Sequence, residues 1–270
     1  MSQTQMNQME QRKVVLITGA AKRIGRVIAL QMAAQGWDVA VHFGRSRDEA
    51  VNLVQELRAM GRQACMVQAE LSVEAEVKAI VPQVLQELGR LDCVVNNASL
   101  FEPDTAFDFS AACLDKHMHA NVMAPILLAQ ALHANAPNHL EAGSASVINI
   151  LDQKLFNLNP DYLSYTLSKA ALQNATITLA QALAPKLRVV GIAPGLSMTS
   201  GDQSDSDFKA AHRLTPLGRS STPEDIAEAV AYVAQARAIT GTTILVDGGQ
   251  HLIPTQRDVM FIAKGNEGNN

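Results

Sequence analysis

Val14-Val-Leu-Ile-Thr-Gly-Ala-Ala-Lys-Arg-Ile-Gly25 carries three structural instructions in one short stretch. Val14–Thr18 is apolar and β-branched, as a buried strand should be. Gly19 permits a tight turn, and Gly25 permits a close backbone approach where a helix begins. A helix starting there aims unpaired N–H groups and its positive dipole end back at the turn, which suits a pyrophosphate. The expectation is a dinucleotide cradle with Gly19, Ile24 and Gly25 against the ligand. Two glycines alone would equally describe an ordinary βα turn.

Working outward, short runs rich in Val and Ile recur at Asp38–His42, Ala64–Val67, Cys93–Asn96, Ser146–Ile150, Arg188–Ile192 and Thr243–Val246. Between them lie amphipathic helical patterns, such as Val73, Val77, Ile80, Val81, Val84, Leu85 and Leu88, with Pro82 an expected local irregularity. Ser46 with Glu49 and Thr222 with Asp225 match capping boxes, and Pro223 suits a first helical position. The alternation predicts an α/β chain: a single-domain Rossmann fold, a doubly wound seven-stranded parallel sheet with helices on both faces, over residues 13–250. Residues 1–12 read as a disordered tail. The polar stretch 197–219 reads as a substrate loop or lid. Residues 251–270 read as a C-terminal tail whose apolar Val259–Ile262 stretch docks, conceivably on a neighbouring subunit.

The 270 residues are 47% hydrophobic, enough for one sizeable core. Cys65, Cys93 and Cys113 show no Cys-x-x-Cys spacing, which fits a reducing compartment and excludes a disulfide framework. The polar MSQTQMNQMEQ start lacks the apolar core of a signal peptide, and no run of about 18 apolar residues appears. A net charge of −4 without a basic block gives no reason to expect nucleic acid. A cytoplasmic protein with neither membrane nor nucleic-acid partner is expected. His117, His119, His133 and His139 lack a ligand set at metal spacing and read as surface histidines, so no metal is expected.

The second strand ends His42-Phe-Gly-Arg-Ser-Arg47. An NAD site usually has an acidic residue there for the ribose hydroxyls; this chain offers Arg45 and Ser46 instead, with Arg23 in the first loop. Arginine grips a phosphate bidentately, so the pattern suits the 2′-phosphate of NADPH. At roughly 1.5–3 kcal/mol per charge-assisted bond, a preference of about 100-fold over NADH follows. Arg47 reads as a solvated charge.

Thr18-Gly-x-x-x-Arg-Ile-Gly25, Asn96-Asn-Ala98, Asn121, Tyr165-x-x-x-Lys169 and Pro194-Gly195, in this order, resemble the short-chain dehydrogenase/reductase superfamily from about Lys13 to Gly249. Finer details resemble one branch, the pteridine reductases. Asn97-Ala-Ser99 replaces the usual Asn-Ala-Gly, with Phe101 two residues on. Asp152 stands thirteen before Tyr165, where serine is usual, and Tyr162 precedes Tyr165 by three. The Arg45-Ser46 pair and the run Ala193-Pro-Gly-Leu-Ser197 look similar too. The resemblance implies NADPH-dependent reduction of a pterin sandwiched between nicotinamide and Phe101. Dihydromonapterin, dihydrobiopterin or dihydrofolate would be the substrate, and Arg23, Ser99, Asp152, Tyr162 and Tyr165 its contacts. It further implies that Lys169 holds the nicotinamide ribose and Asn121 a nearby water. Asn97, Ala98, Ser99, Pro194, Gly195 and Ser197 would line the dinucleotide, with Glu70 and Leu71 near adenine and a homo-oligomer, tetramer or dimer, as the assembly.

Tyr165 and Lys169 lie one helical turn apart on one face. A lysine ammonium there, together with the positive nicotinamide of the oxidised cofactor, is expected to favour the phenolate and lower the tyrosine pKa from about 10. Asp152 departs from the serine that donates to a ketone oxygen. An ionised carboxylate only accepts, which suits a substrate presenting N–H groups, unless burial keeps it protonated. Asp161 or a water could instead do this work, with Asp152 a loop residue. Two other functions stay open: a carbonyl or 3-oxoacyl reductase of the same superfamily, and a non-catalytic dinucleotide-binding sensor.

Overall fold

The strands β1 (Val14–Ile17), β2 (Asp38–Phe43), β3 (Ala64–Gln68), β4 (Cys93–Asn96), β5 (Ala145–Ile150), β6 (Leu187–Pro194) and β7 (Thr243–Val246) form one sheet. Their order is β3-β2-β1-β4-β5-β6-β7, and every pairing is parallel. The computed structural model describes residues 12–136, 142–198, 208, 212–213 and 215–258. Most of the expected lid, and the Val259–Ile262 stretch, lie outside them.

β1 sits mid-sheet, with Val15 in register with Val39 on one side and Cys93 on the other. The chain turns back between β1 and β4, so a crevice opens at the strands' C-terminal ends. Each strand alternates its side chains between two cores. Val15 and Ile17 pack with Ile28 and Met32 of α1 (Arg23–Ala34), Leu53 of α2 (Arg47–Ala59) and Val230 of α7 (Pro223–Gln235). Val14 and Leu16 pack with Val77 and Ile80 of α3 (Glu74–Leu88) and Leu128 and Leu132 of α5 (Ala124–Asn135). The short strands are therefore nearly continuous in apolarity, because both faces are covered. α4 (Ala111–Met118) and α6 (Leu163–Leu183) complete the described long elements that flank the site.

Several local readings shift. β6 continues to Pro194, and Pro82 sits inside an unbroken α3. Thr222, Pro223 and Asp225 form the expected capping box of α7. Ser46 does stand at the N-cap of α2, but its side chain makes no cap bond. With φ −87 and ψ 62 it lacks the extended geometry that aims a cap hydroxyl at the third helical N–H. Glu49 meanwhile pairs with Lys22 at 2.6 Å. His117 corrects the surface-histidine reading: it is fully buried, with Nδ1 on Cys113 O (2.8 Å) and Nε2 accepting from Glu102 N (3.2 Å). Among the described residues no group of His, Cys, Asp and Glu could hold a metal, and no helix is long and apolar enough to cross a membrane.

Candidate active site

The cradle is laced across the sheet. Thr18 Oγ1 accepts the N–H groups of Asn97 and Ala98, each at 3.0 Å, while Asn97 Nδ2 donates to Thr18 O at 2.9 Å. Gly19 has φ +63, and a Cβ on Gly25 would stand 2.3 Å from Gly19 O and 2.7 Å from Asn97 Nδ2. Only glycine fits at either position. α1 begins with no side-chain cap and no acidic residue in its first turn, so its N-terminal donors remain for an anion. These features fit a dinucleotide pyrophosphate.

His42, which the sequence reading quoted only as a strand end, ties this loop to the next. Its Nδ1 accepts from Gly19 N and its Nε2 donates to Ala69 O, both at 3.1 Å. Burial pushes its pKa down to about 4, so the ring stays neutral. Past it, a cavity of about 300 Å³ is lined by Gly44, Arg45, Gln68, Ala69, Glu70 and Glu76. Arg45 is thus brought beside Glu70, with Ser46 next in sequence. Glu70 Oε1 closes its own turn by accepting from Ser72 N and Oγ, and Leu71 is buried in the core behind.

The main cleft, about 470 Å³, lies where the crevice was expected. It gathers Arg23, Ile24, Asn97, Ser99, Phe101, Asp152, Tyr165, Lys169, Pro194, Gly195 and Ser197. Arg23 reaches it from a left-handed backbone, φ 53, a conformation costing a non-glycine residue about 1–3 kcal/mol. Gly195 permits close packing, since its Cβ would fall 2.5 Å from Ser220 Oγ. The sequence reading missed Leu151, Gln153, Leu196, Met198, Gln250 and Asp258, which also line it. None bears a motif of its own; all but Asp258 and Gln250 are sequence neighbours of residues that do.

Tyr165 Oη donates to Asp152 Oδ2 at 2.7 Å, and Lys154 N donates to Asp152 Oδ1 at 2.8 Å. Burial raises the Asp152 pKa above the usual carboxylate range, against the pull of these donors. The same burial, then the Asp152 charge and hydrogen bond, raise Tyr165 well above 10. This reverses the expected phenolate. Lys169 draws on Asp152 but does not reverse the rise at Tyr165: its Nζ donates to Ile150 O at 2.7 Å and lies 5.7 Å from the Tyr165 ring centroid. Burial lowers the Lys169 pKa to about 8, with Asp152 opposing.

Asn121 sits on a π-helical turn, His119–Met123, a form common at functional sites. Its Nδ2 donates to Ser168 Oγ (2.9 Å) and Leu100 O (3.0 Å), and its Oδ1 accepts from Leu100 N (2.8 Å). It thereby pins the loop carrying Ser99 and Phe101. Phe101 stacks on Tyr162, centroids 4.2 Å apart, and meets Tyr165 edge-on at 4.7 Å. Tyr162 is held from a left-handed position at the start of α6, φ 56. Asp161 is turned elsewhere: both carboxylate oxygens accept from Arg257 Nε and one also from Asp258 N. Its pKa stays below the usual range although burial opposes this, because Arg257 and the Asp258 N–H hold the charge.

A family model described as enoyl-(acyl carrier protein) reductase matches residues 19–251. The fold superposes on FolM alternative dihydrofolate reductase 1 of Brucella canis, complexed with NADP, at a TM-score of 0.83 and 39% identity, covering 89% of this chain and 95% of that one. The Brucella suis protein of the same name, also with NADP, gives 0.83 and 38%, covering 92% and 98%. A 3-oxoacyl-[acyl-carrier-protein] reductase of Staphylococcus aureus is 32% identical over 249 residues, covering 90% of this chain and all of that protein. NADP in both superposed structures agrees with the cofactor read from Gly19, Gly25 and Arg45. The matched length, the seven-stranded sheet and the Tyr165–Lys169 pair lead to one conclusion: the chain belongs to the short-chain dehydrogenase/reductase family and is an oxidoreductase.

Proposed function

We propose that the chain is an NADPH-dependent reductase of a ring C=N bond in a pteridine of the dihydropterin or dihydrofolate type. The observation carrying this reading is the Tyr165–Asp152 hydrogen bond, with both Asp152 oxygens already accepting. A carbonyl reductase needs a donor at this point; losing an oxyanion donor costs about 100-fold or more. A carboxylate instead suits a substrate that brings N–H groups. The stacked Phe101–Tyr162 pair provides a flat apolar platform for a planar ring. The Brucella relatives, described as alternative dihydrofolate reductases, support the same substrate class.

NADPH would be held by Gly19, Ile24 and Gly25 at the pyrophosphate and Arg45 and Ser46 at the 2′-phosphate. Asn97, Ala98, Pro194, Gly195, Ser197 and Lys169 would hold the nicotinamide half. Bound NADPH supplies the hydride that reaches the ring carbon. Tyr165, kept protonated by burial and by Asp152, gives its proton to the ring nitrogen, so that C=N becomes CH–NH. The phenolate left behind takes its replacement proton from solvent by way of Asp152, whose raised proton affinity lets it hold that proton in passing. Asn121 acts one step removed, by fixing the Phe101 loop.

Among the described residues Arg45 is the lone cation lining its cavity, against Glu70 and Glu76. Arg45→Ala is therefore expected to raise the NADPH KM about 30–100-fold and to leave the NADH KM within about threefold. Equal losses with the two dinucleotides in steady-state assays would remove the 2′-phosphate role.

The second reading, a 3-oxoacyl or other carbonyl reductase, is favoured by the Staphylococcus aureus relative. One assay separates the two: NADPH absorbance loss with dihydrobiopterin, dihydromonapterin, dihydrofolate and ethyl acetoacetate, for the wild type and Asp152→Ser. Dihydropterin turnover that collapses in Asp152→Ser is the expected result. Turnover of the keto ester alone would return the chain to the carbonyl reductases.

A further inference from the structure

We propose that Asp104, which is not among the residues lining the cleft, is a positioning residue of the reductase: it caps α6 from 60 residues away and thereby sets the plane of Phe101 against Tyr162 and Tyr165. This role rests on the pteridine reading and deepens it. The first N–H groups of a helix have no partner within it. α6 opens on Tyr162, which has a left-handed backbone and makes no side-chain cap bond. Asp104 supplies the cap from outside. Its backbone O accepts from Leu163 N at 3.2 Å, its Oδ1 from Ser164 N at 2.9 Å, and its Oδ2 from Ser164 Oγ. Two orphan donors of the first turn are thus met by one residue, itself buried. A carboxylate also suits the positive end of the helix dipole.

The same residue ends the loop that carries the platform. Leu100–Asp104 contains neither helix nor strand, yet every second residue of it is anchored. Asn121 holds both the N–H and the carbonyl of Leu100, His117 Nε2 accepts from Glu102 N, and the first turn of α6 holds Asp104. Just beyond, Thr105 N and Oγ1 both donate to Asp108 Oδ1, at 2.6 and 2.7 Å, and close the turn. Phe101 falls between the first two anchors. Its ring stacks on Tyr162 yet stays 40% exposed, and it lines the cleft. Asn121 ties the loop to α6 at Ser168, whereas Asp104 ties it to the turn that bears Tyr162 and Tyr165 themselves. Releasing Asp104 therefore frees the platform rings to shift against one another. The dinucleotide cradle is held by a separate set of bonds, between Thr18 and Asn97, and is left in place. A flat heterocycle stacked on Phe101 would feel the change, and the cofactor would not.

The test is a titration of dihydrobiopterin into protein saturated with NADP+, which has no hydride to transfer, followed by calorimetry. Asp104→Ala is expected to weaken binding about 10-fold and to leave the NADPH KM within about twofold. Asp104→Asn, which keeps an acceptor for Ser164 N, should recover most of the loss. Ser164→Ala removes only the hydroxyl bond and should cost about threefold, so it carries the test if Asp104→Ala does not fold. The deciding comparison is a double-mutant cycle with Phe101→Ala, which leaves no ring to place. In that background the Asp104 or Ser164 substitution should add less than about twofold. An equal loss in both backgrounds would mark a merely structural cap and overturn the proposal, as would a parallel loss of pterin and NADP+ binding. A wild type that binds and reduces no dihydropterin would remove the pteridine reading, and this role with it. Pterin binding that is unchanged in Asp104→Ala, or in Ser164→Ala where only that variant folds, would remove the role alone.

Discussion

Tyr165→Phe is expected to lower kcat for a dihydropterin by about 1000-fold while NADPH affinity stays within about twofold. A positioned general acid contributes roughly 10²–10⁴ in rate. Tyr165 is buried, and its hydroxyl is committed to Asp152 at 2.7 Å. Phenylalanine keeps the ring that packs edge-on to Phe101, so the aromatic platform survives. What disappears is the proton and its route to Asp152, which then keeps only the Lys154 N–H. The direction of the Tyr165 pKa also fixes the pH behaviour. A phenol raised well above 10 stays protonated from pH 6 to 9, so its ionisation produces no loss of kcat in that window. Steady-state kinetics across that range checks both points. A residual rate within tenfold of wild type would hand the proton step to Asp152 or to water, and Tyr165 would keep only a packing role.

Much of this site is legible in the chain because its parts are local. Gly19 and Gly25 announce a turn and a close approach, and the structure shows the approach, with Gly19 O where a Cβ of Gly25 would lie. The strands read correctly because short, nearly continuous apolar runs separated by amphipathic helices have one explanation, a parallel sheet covered on both faces. The failures share a different cause. Ser46 and Glu49 have capping-box spacing, but Lys22, which is distant in sequence, claims the glutamate. His117 looks like a surface residue on an amphipathic helix until Glu102 N supplies its partner. The Tyr165 pKa runs against the expectation because Lys169 and the charge of the oxidised nicotinamide were the charges weighed; Asp152 was legible as a neighbour, but the burial of the hydroxyl and the strength of its bond to that carboxylate appear only in the fold. The Lys154–Asp258 pair carries no signal at all: the two meet across 104 residues of sequence, and no periodicity encodes such a contact. Spacing reveals which residue types are paired locally; energies that depend on burial and long-range partners appear only in the fold.

Lys169→Met is expected to abolish turnover, by at least about 1000-fold, and at the same time to raise thermal stability at pH 7. The lysine is 3% exposed, and burial lowers its pKa from 10.5 to about 8. Below pH 8 both the folded and the unfolded chain hold the proton, and the folded state carries the full cost of a buried ammonium, about 3 kcal/mol. Between about pH 8 and 10.5 the unfolded chain binds more protons than the folded one. Stability contributed by this group therefore rises with pH across that window, and the cost is gone above it. Methionine fills a similar volume with no charge. It loses the donor to Ile150 O, which at about 1–2 kcal/mol offsets part of the gain; the pull of Asp152 is already contained in the lowered pKa. A net gain of about 1–2 kcal/mol remains, or roughly 2–4 °C in Tm for a domain of this size. Thermal unfolding of wild type and Lys169→Met at pH 7 and pH 10 reads this directly: the gain should be clear at pH 7 and reduced or reversed at pH 10. A lower Tm at pH 7 would mean that the bond to Ile150 O outweighs the burial of the charge. The expected pairing of a dead enzyme with a more stable fold would identify Lys169 as a residue kept at the expense of stability, for chemistry with a dinucleotide that the fold alone does not need.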